Sequence, residues 1–153
     1  MRPEFYRKRL KDMRIDDALQ GGVDWKSVKE KSALIFQKHI KGQVLDAGCG
    51  TGWVAEFIDK DDYVGMDWFR EAIDEARKRH PQHKFVVGDV RKTGFNDKSF
   101  DWVIASSLGG YAPDGLGKNW EAYEKEWSRI SNNILVLWLS KPGQYKIITY
   151  GTI

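Results

Sequence analysis

At 153 residues the chain is long enough for one domain that buries roughly two-thirds of its unfolded surface, and nothing in it marks a linker or a second core. With 41% hydrophobic and 31% charged residues it has the profile of a globular protein, and no apolar run approaches the roughly 18 residues of a membrane helix. A net charge of +3 is small for a nucleic-acid binder, and a single cysteine excludes an intrachain disulfide and a cysteine-based metal cluster; neither nucleic acid nor metal is an expected partner.

Met1 to Leu10 is basic and lacks the apolar stretch of a secretory leader, which predicts a cytoplasmic location. From Glu4 to about Leu19, the apolar Phe5, Leu10, Met13 and Ala18 with charges between them read as a helix ended by Gly21 and Gly22. Its cations Arg2, Arg7, Lys8, Arg9, Lys11 and Arg14 form a solvated face or meet a weakly held anionic partner. Asp24 is placed to cap a second helix running to about Ile40, with Val28, Leu34, Ile35 and Ile40 on its apolar face. Tyr6 and Trp25 are the aromatic candidates in this region, either for a lid over a ligand or as core anchors.

The first strand spans about Gln43 to Ala47 and runs into a glycine turn, Gly48-Cys49-Gly50-Thr51-Gly52, from which a helix is predicted to leave over Gly52 to about Asp59. Strand, tight turn and helix start are a common way to hold a nucleotide-like ligand, and glycine lets the backbone turn sharply with no Cβ between it and the ligand. The dinucleotide fingerprint G-x-G-x-x-G would place its third glycine where Trp53 stands. Asp46, two residues before the first glycine, would repel a pyrophosphate and suits a cation such as an ammonium or a sulfonium. Cys49, with no histidine near it in sequence, reads as a small packing residue of the turn.

Tyr63 to Asp67 is a second strand ending in an acid about 20 residues past the start of the turn, where a ribose-binding carboxylate belongs. Asp67 is also placed to cap a helix from Trp68 to about His80, and Trp68 is placed to cover one face of an adenine. Pro81 closes that helix; Lys84 to Gly88 is a third strand, with Asp89 and Val90 at its end. Three acids, Asp46, Asp67 and Asp89, thus close three successive strands on the edge of an open α/β sheet where ligands bind. Ser99 to Ser106 is a fourth strand, apolar enough to be buried on both faces. A helix carrying Glu126, Arg129 and Ile130 precedes a fifth strand from Asn133 to Leu139, and the Pro142-Gly143 turn predicts that Tyr145 to Tyr150 doubles back antiparallel to it.

With Asp46 in place, Asp-Ala-Gly-Cys-Gly-Thr-Gly resembles the first motif of class I S-adenosylmethionine-dependent methyltransferases. Gly88-Asp89-Val90 and the run Phe95 to Ile104 are similar to the third and fourth motifs of the small-molecule, type 11-like branch of that family, and the likeness covers roughly Val44 to Gly143. The resemblance implies a Rossmann-like three-layer α/β sandwich with a mostly parallel sheet; the expected final antiparallel strand after Pro142-Gly143, with no helix before it, departs from the family's usual ending and predicts a C-terminally shortened sheet. The N-terminal helices are residues 1–41 and the core is 42–153. It implies that Gly48, Cys49, Gly50 and Gly52 lie against the methionine part of S-adenosylmethionine, with Asp46 near its cationic end. Asp67 would hold the ribose, Asp89 and the Val90 amide the adenine, and Ala105 and Ser106 would lie beside the sulfonium. The expected reaction is in-line methyl transfer to a small-molecule acceptor. Alternatives are a cofactor-binding module that works with a partner, or methylation of RNA or protein. The segment Ser107 to Asp114 should face the acceptor; it offers only Tyr111 and Asp114 as titratable candidates for a base. A bare apolar C-terminal edge strand would allow a homodimer.

Overall fold

The computed structural model describes residues 23–106 and 120–150. The helix expected over 4–19, Tyr6, and the candidates Tyr111 and Asp114 lie outside the described residues.

The first described helix, α1 (Trp25–His39), starts where Asp24 accepts a hydrogen bond from the Ser27 N–H at 3.2 Å. Strand β1 (Val44–Ala47) follows, then two short 3-10 segments, Trp53–Phe57 and Lys60–Asp62, and β2 (Tyr63–Asp67). Helix α2 (Arg70–Arg79) leads to β3 (Lys84–Val87) and β4 (Phe100–Ser106). The chain closes with α3 (Trp120–Ile130), β5 (Ser131–Leu137) and β6 (Tyr145–Thr149). No described helix is long and apolar enough to cross a membrane.

The six strands form one sheet in the order β3-β2-β1-β4-β5-β6, parallel except for β6, which pairs antiparallel with β5. Strand order reverses between β1 and β4, the switch point where an open α/β sheet leaves a crevice at its carboxyl edge. Alternation along each strand sorts the core into two layers. Val44, Tyr63, Phe85, Ile104 and Leu135 face α1, the first 3-10 segment and Ile73 and Ala76 of α2. Leu45, Met66, Val103 and Ile134 face Trp127 and Ile130 of α3 on the other side. The three-layer α/β sandwich and the antiparallel last strand are as the sequence implies.

Three expectations change. The segment after the glycine turn is not a helix to Asp59 but the five-residue 3-10 segment Trp53–Phe57, because Ile58 is already extended and the chain must reach β2 at Tyr63. Leu34 is off the apolar face of α1 and 68% exposed. The buried stripe is Val28, Ser32, Ile35 and Phe36, at the i, i+4, i+7, i+8 spacing of one helix face. The fifth strand starts two residues early, at Ser131, directly from the last residue of α3. That abrupt exit is stabilised by Lys98, whose Nζ donates to the carbonyls of Ser128 and Ser131 at 2.8 and 2.7 Å, and by the Ser131 hydroxyl on the Trp127 carbonyl at 2.6 Å.

Candidate cofactor site at the carboxyl edge of the sheet

The parallel register aligns the strand ends: Ala47 pairs with both Met66 and Ala105, and Asp67 pairs with Val87. Asp89, Asp67, the glycine turn and Ser106 therefore form one row across β3, β2, β1 and β4. At about 4.8 Å per strand this row extends about 14 Å, room for an elongated ligand lying across four strand ends.

Within the row the glycine turn is fixed from below. Gly48 and Cys49 both donate N–H bonds to the Met66 carbonyl, at 2.8 and 3.0 Å, and the Gly52 N–H closes the turn on Cys49 at 2.9 Å. Gly48, Gly50 and Gly52 have φ of +73°, +55° and +88°, left-handed backbone that a side chain would strain. Asp67 is the strut: Oδ2 accepts from the Gly50 N–H at 3.0 Å and Oδ1 from the Phe69 N–H at 2.9 Å. Burial raises its pKa, opposed by backbone hydrogen bonds from Phe69, Gly50 and Trp68. Asp67 is not the N-cap of α2, which begins one residue after Phe69; it braces the loop ahead of the helix instead. With about four lone-pair sites and three backbone donors, the carboxylate keeps acceptor capacity for a ligand hydroxyl.

Asp46 is fully buried, on the sheet face shared with Tyr63, whose hydroxyl donates to Oδ2 at 2.6 Å. Among the described residues Oδ1 has no hydrogen-bond partner. Burial pushes the carboxyl pKa up to about 7; the Tyr63 hydrogen bond opposes this and the negative Asp67 adds to it. Cys49 is buried as well, and burial with the nearby Asp46 and Asp67 raises its pKa well above 9.0, so it stays a thiol, as a packing residue does.

Further along the row, Asp89 is half-exposed and gripped by Arg91, which donates its backbone N–H at 2.8 Å and Nε at 3.1 Å to Oδ1, and Nη2 at 2.9 Å to Oδ2. Those bonds hold its carboxyl below the usual range. Val90 is buried, its carbonyl accepting the Trp127 indole N–H at 3.0 Å, so α3 fixes the loop at the end of β3. Trp68 stands 41% exposed beside Phe69, while Ala105 and Ser106 are buried at the end of β4. Trp25 packs edge-on against Trp53 at 5.8 Å and, with Lys29 of α1, Thr51 of the glycine turn, Trp53 and Glu56 of the first 3-10 segment, and Arg79 and His80, lines a cleft of about 220 Å³. Its partner there is a core indole, as an anchor requires.

Sequence reasoning missed three partners of this row: Tyr63 on Asp46, Arg91 on Asp89 and Trp127 on Val90. Only the second carried a local signal, the Asp-x-Arg spacing that folds a guanidinium back onto the acid two residues before it.

The stretch that carries the glycine turn and the three acid-tipped strands lies within a match to known proteins. Residues 44–130, more than half of the sequence, match the family described as the methyltransferase domain. The chain belongs to that family. Among curated relatives, this methyltransferase domain is 33% identical over 92 residues to the demethylmenaquinone methyltransferase of Thermotoga maritima, covering 58% of this chain and 40% of that protein. It is 37% identical over 68 residues to the phthiotriol/phenolphthiotriol dimycocerosates methyltransferase of Mycobacterium tuberculosis, covering 40% of this chain and 25% of that one. The chain therefore spans well under half the length of these relatives. A solved structure from Pyrococcus horikoshii superposes with a TM-score of 0.67 at 22% identity over 86% of this chain and 65% of its own, a likeness of fold.

Proposed function

We propose that the methyltransferase domain binds S-adenosylmethionine along the carboxyl edge of β3, β2, β1 and β4 and directs methyl transfer to a small organic acceptor. The observation that carries this reading is Asp67 clamped onto the Gly50 N–H, which joins a ribose-type acid to a glycine turn in one rigid unit. The residues fit the cofactor. Gly48 and Gly50 hold left-handed backbone that lets the turn present its main chain to a ligand, Asp46 presents a buried oxygen without a partner among the described residues to a cation, and Asp67 keeps acceptor capacity for a ribose hydroxyl. Trp68 offers an exposed indole face for adenine.

When bound, S-adenosylmethionine supplies an electrophilic methyl on a sulfonium. The protein's part is placement: a fixed turn and buried strand ends hold the donor and exclude water, which suffices for in-line transfer without a dedicated base. Asp89 serves an adenine amine only through the lone pairs that Arg91 leaves, so its role is shared with that guanidinium. The small-molecule acceptor follows the relatives named above, one named for demethylmenaquinone and the other for phthiotriol dimycocerosates. A cytoplasmic location and a homodimer through the β6 edge belong to the same reading.

Isothermal calorimetry with S-adenosylmethionine and S-adenosylhomocysteine tests it. Binding of both in the micromolar range, weakened by Asp67→Ala, is the expected result; no heat at millimolar ligand overturns the reading.

A further inference from the structure

Asp46 pairs in register with Gly65 of β2 on one side and Ile104 of β4 on the other. Gly65 is small for a reason: a Cβ there would lie 2.8 Å from the Tyr63 hydroxyl and 2.7 Å from the Phe85 ring. The missing side chain opens the path by which Tyr63, itself 2% exposed, reaches up the sheet to Asp46. The Tyr63 ring is held edge-on by His83 at 5.3 Å and Phe85 at 5.5 Å, so its hydroxyl cannot swing away. The result is a carboxylate with one oxygen pinned from below and the other buried, unpartnered, at the base of the glycine turn. An unmade hydrogen bond at a buried carboxylate oxygen is costly, and at the base of a glycine turn a cationic ligand group is one partner that offsets that cost.

We propose that Tyr63 is a positioning residue for cofactor binding: its hydroxyl holds Asp46 through Oδ2 and leaves Oδ1 to receive a positively charged group of the ligand. The proposal rests on the reading of the turn as an S-adenosylmethionine site. The group best suited is the α-ammonium of the methionine part, a compact donor of three hydrogen bonds. The cation is received in the ionised state of Asp46, so affinity for an amino-acid-bearing ligand falls as pH drops below about 7. Among the described residues, the other titratable groups facing this point are Cys49 on the turn, Asp67 at the end of β2 and Tyr63 itself; His83 and His80 stand behind the Tyr63 and Phe85 rings. Cys49 and Tyr63 have raised pKa values and remain protonated through this range.

The test is calorimetry from pH 5.5 to 8.5 with two probes that share the adenosine and thioether, S-adenosylhomocysteine and 5′-methylthioadenosine, of which only the first carries the ammonium. In the wild-type protein, S-adenosylhomocysteine affinity should fall by up to about tenfold per pH unit on the acid side while 5′-methylthioadenosine stays level. Tyr63→Phe should weaken S-adenosylhomocysteine by about tenfold or more at pH 7.5 and move its acid limb to higher pH, leaving 5′-methylthioadenosine unchanged. Asp46→Asn should abolish the acid limb. Equal weakening of both probes by Tyr63→Phe, or a level wild-type profile for S-adenosylhomocysteine, overturns the proposal while leaving the cofactor site standing. Failure of the wild-type protein to bind either probe overturns the cofactor reading and this one with it. If Tyr63→Phe does not fold, the wild-type profile and Asp46→Asn decide the matter.

Discussion

Of the three glycines in the turn, Gly52 faces inward. A Cβ there would lie 2.9 Å from two atoms of the Phe85 ring and 3.1 Å from the His80 ring, and the backbone sits at φ +88°. Phe85 has nowhere to go: it is 3% exposed and contacted by the Tyr63 ring at 5.5 Å and the His80 ring at 6.2 Å. Gly52→Ala therefore incurs two separate costs. Left-handed backbone costs an alanine about 1–2 kcal/mol. Overpacking against a hemmed ring adds about 1–3 kcal/mol. Together they amount to about 2–5 kcal/mol, a large share of the roughly 5–15 kcal/mol by which domains are stable. In urea, with unfolding followed by tryptophan fluorescence and circular dichroism, the midpoint should fall by about 1 M or more with an unchanged slope. Phe85→Leu placed in the Gly52→Ala background should relieve the steric part, giving a coupling of about 0.5–3 kcal/mol in a double-mutant cycle. A loss under about 1 kcal/mol for Gly52→Ala, or strict additivity with Phe85→Leu, would refute the packing argument and leave the glycine explained only by its ligand.

Asp67→Asn replaces an acceptor-only group with one whose amide end meets an N–H, so either Gly50 or Phe69 loses its partner. Urea unfolding should show about 1.5–3 kcal/mol lost, and calorimetry should show weaker S-adenosylhomocysteine binding on top of that loss. Glu126 binds Thr93 through both its N–H and hydroxyl at 2.7 Å and Arg129 at 2.8 and 3.0 Å. Burial raises its pKa, but these bonds outweigh burial and bring it from 4.5 to about 2. A carboxylate depressed on folding contributes stability that is present above its unfolded pKa and lost as pH falls through the folded one. Melting temperature should drop between about pH 4.5 and 2, and Glu126→Gln should flatten that drop relative to the wild-type protein.

The strands were legible because each is a short apolar run closed by an acid, a glycine or a serine, and the parallel order followed from the connections between them. Tyr63 to Asp67 came out at its observed bounds for that reason. The segment after the glycine turn did not, because Trp53-Val54-Ala55-Glu56-Phe57 has the composition of a helix; the span left before β2 decides its form, and composition does not encode that constraint. Leu34 differs for a related reason: apolar identity alone does not set angular position, and Leu34 lies off the stripe of Val28, Ser32, Ile35 and Phe36. At the site, the acids were readable from where their strands end, whereas their partners depend on register. Tyr63 reaches Asp46 only because β1 and β2 align Asp46 with Gly65, a fact that belongs to pairing and not to either strand alone. Trp127 reaches Val90 across 37 residues, from a helix whose placement over the sheet no local pattern gives.

A loop that must be ordered by its ligand loses about 1–2 kcal/mol of backbone freedom per residue at the moment of binding. Here that ordering happens earlier, when β1 and β2 come together and the acid of one strand seizes the turn of the other. The turn waits in its final shape, and association becomes a matter of diffusion and fit. The same arrangement makes the domain unforgiving: the residue that shapes the turn cannot change without the fold registering it first.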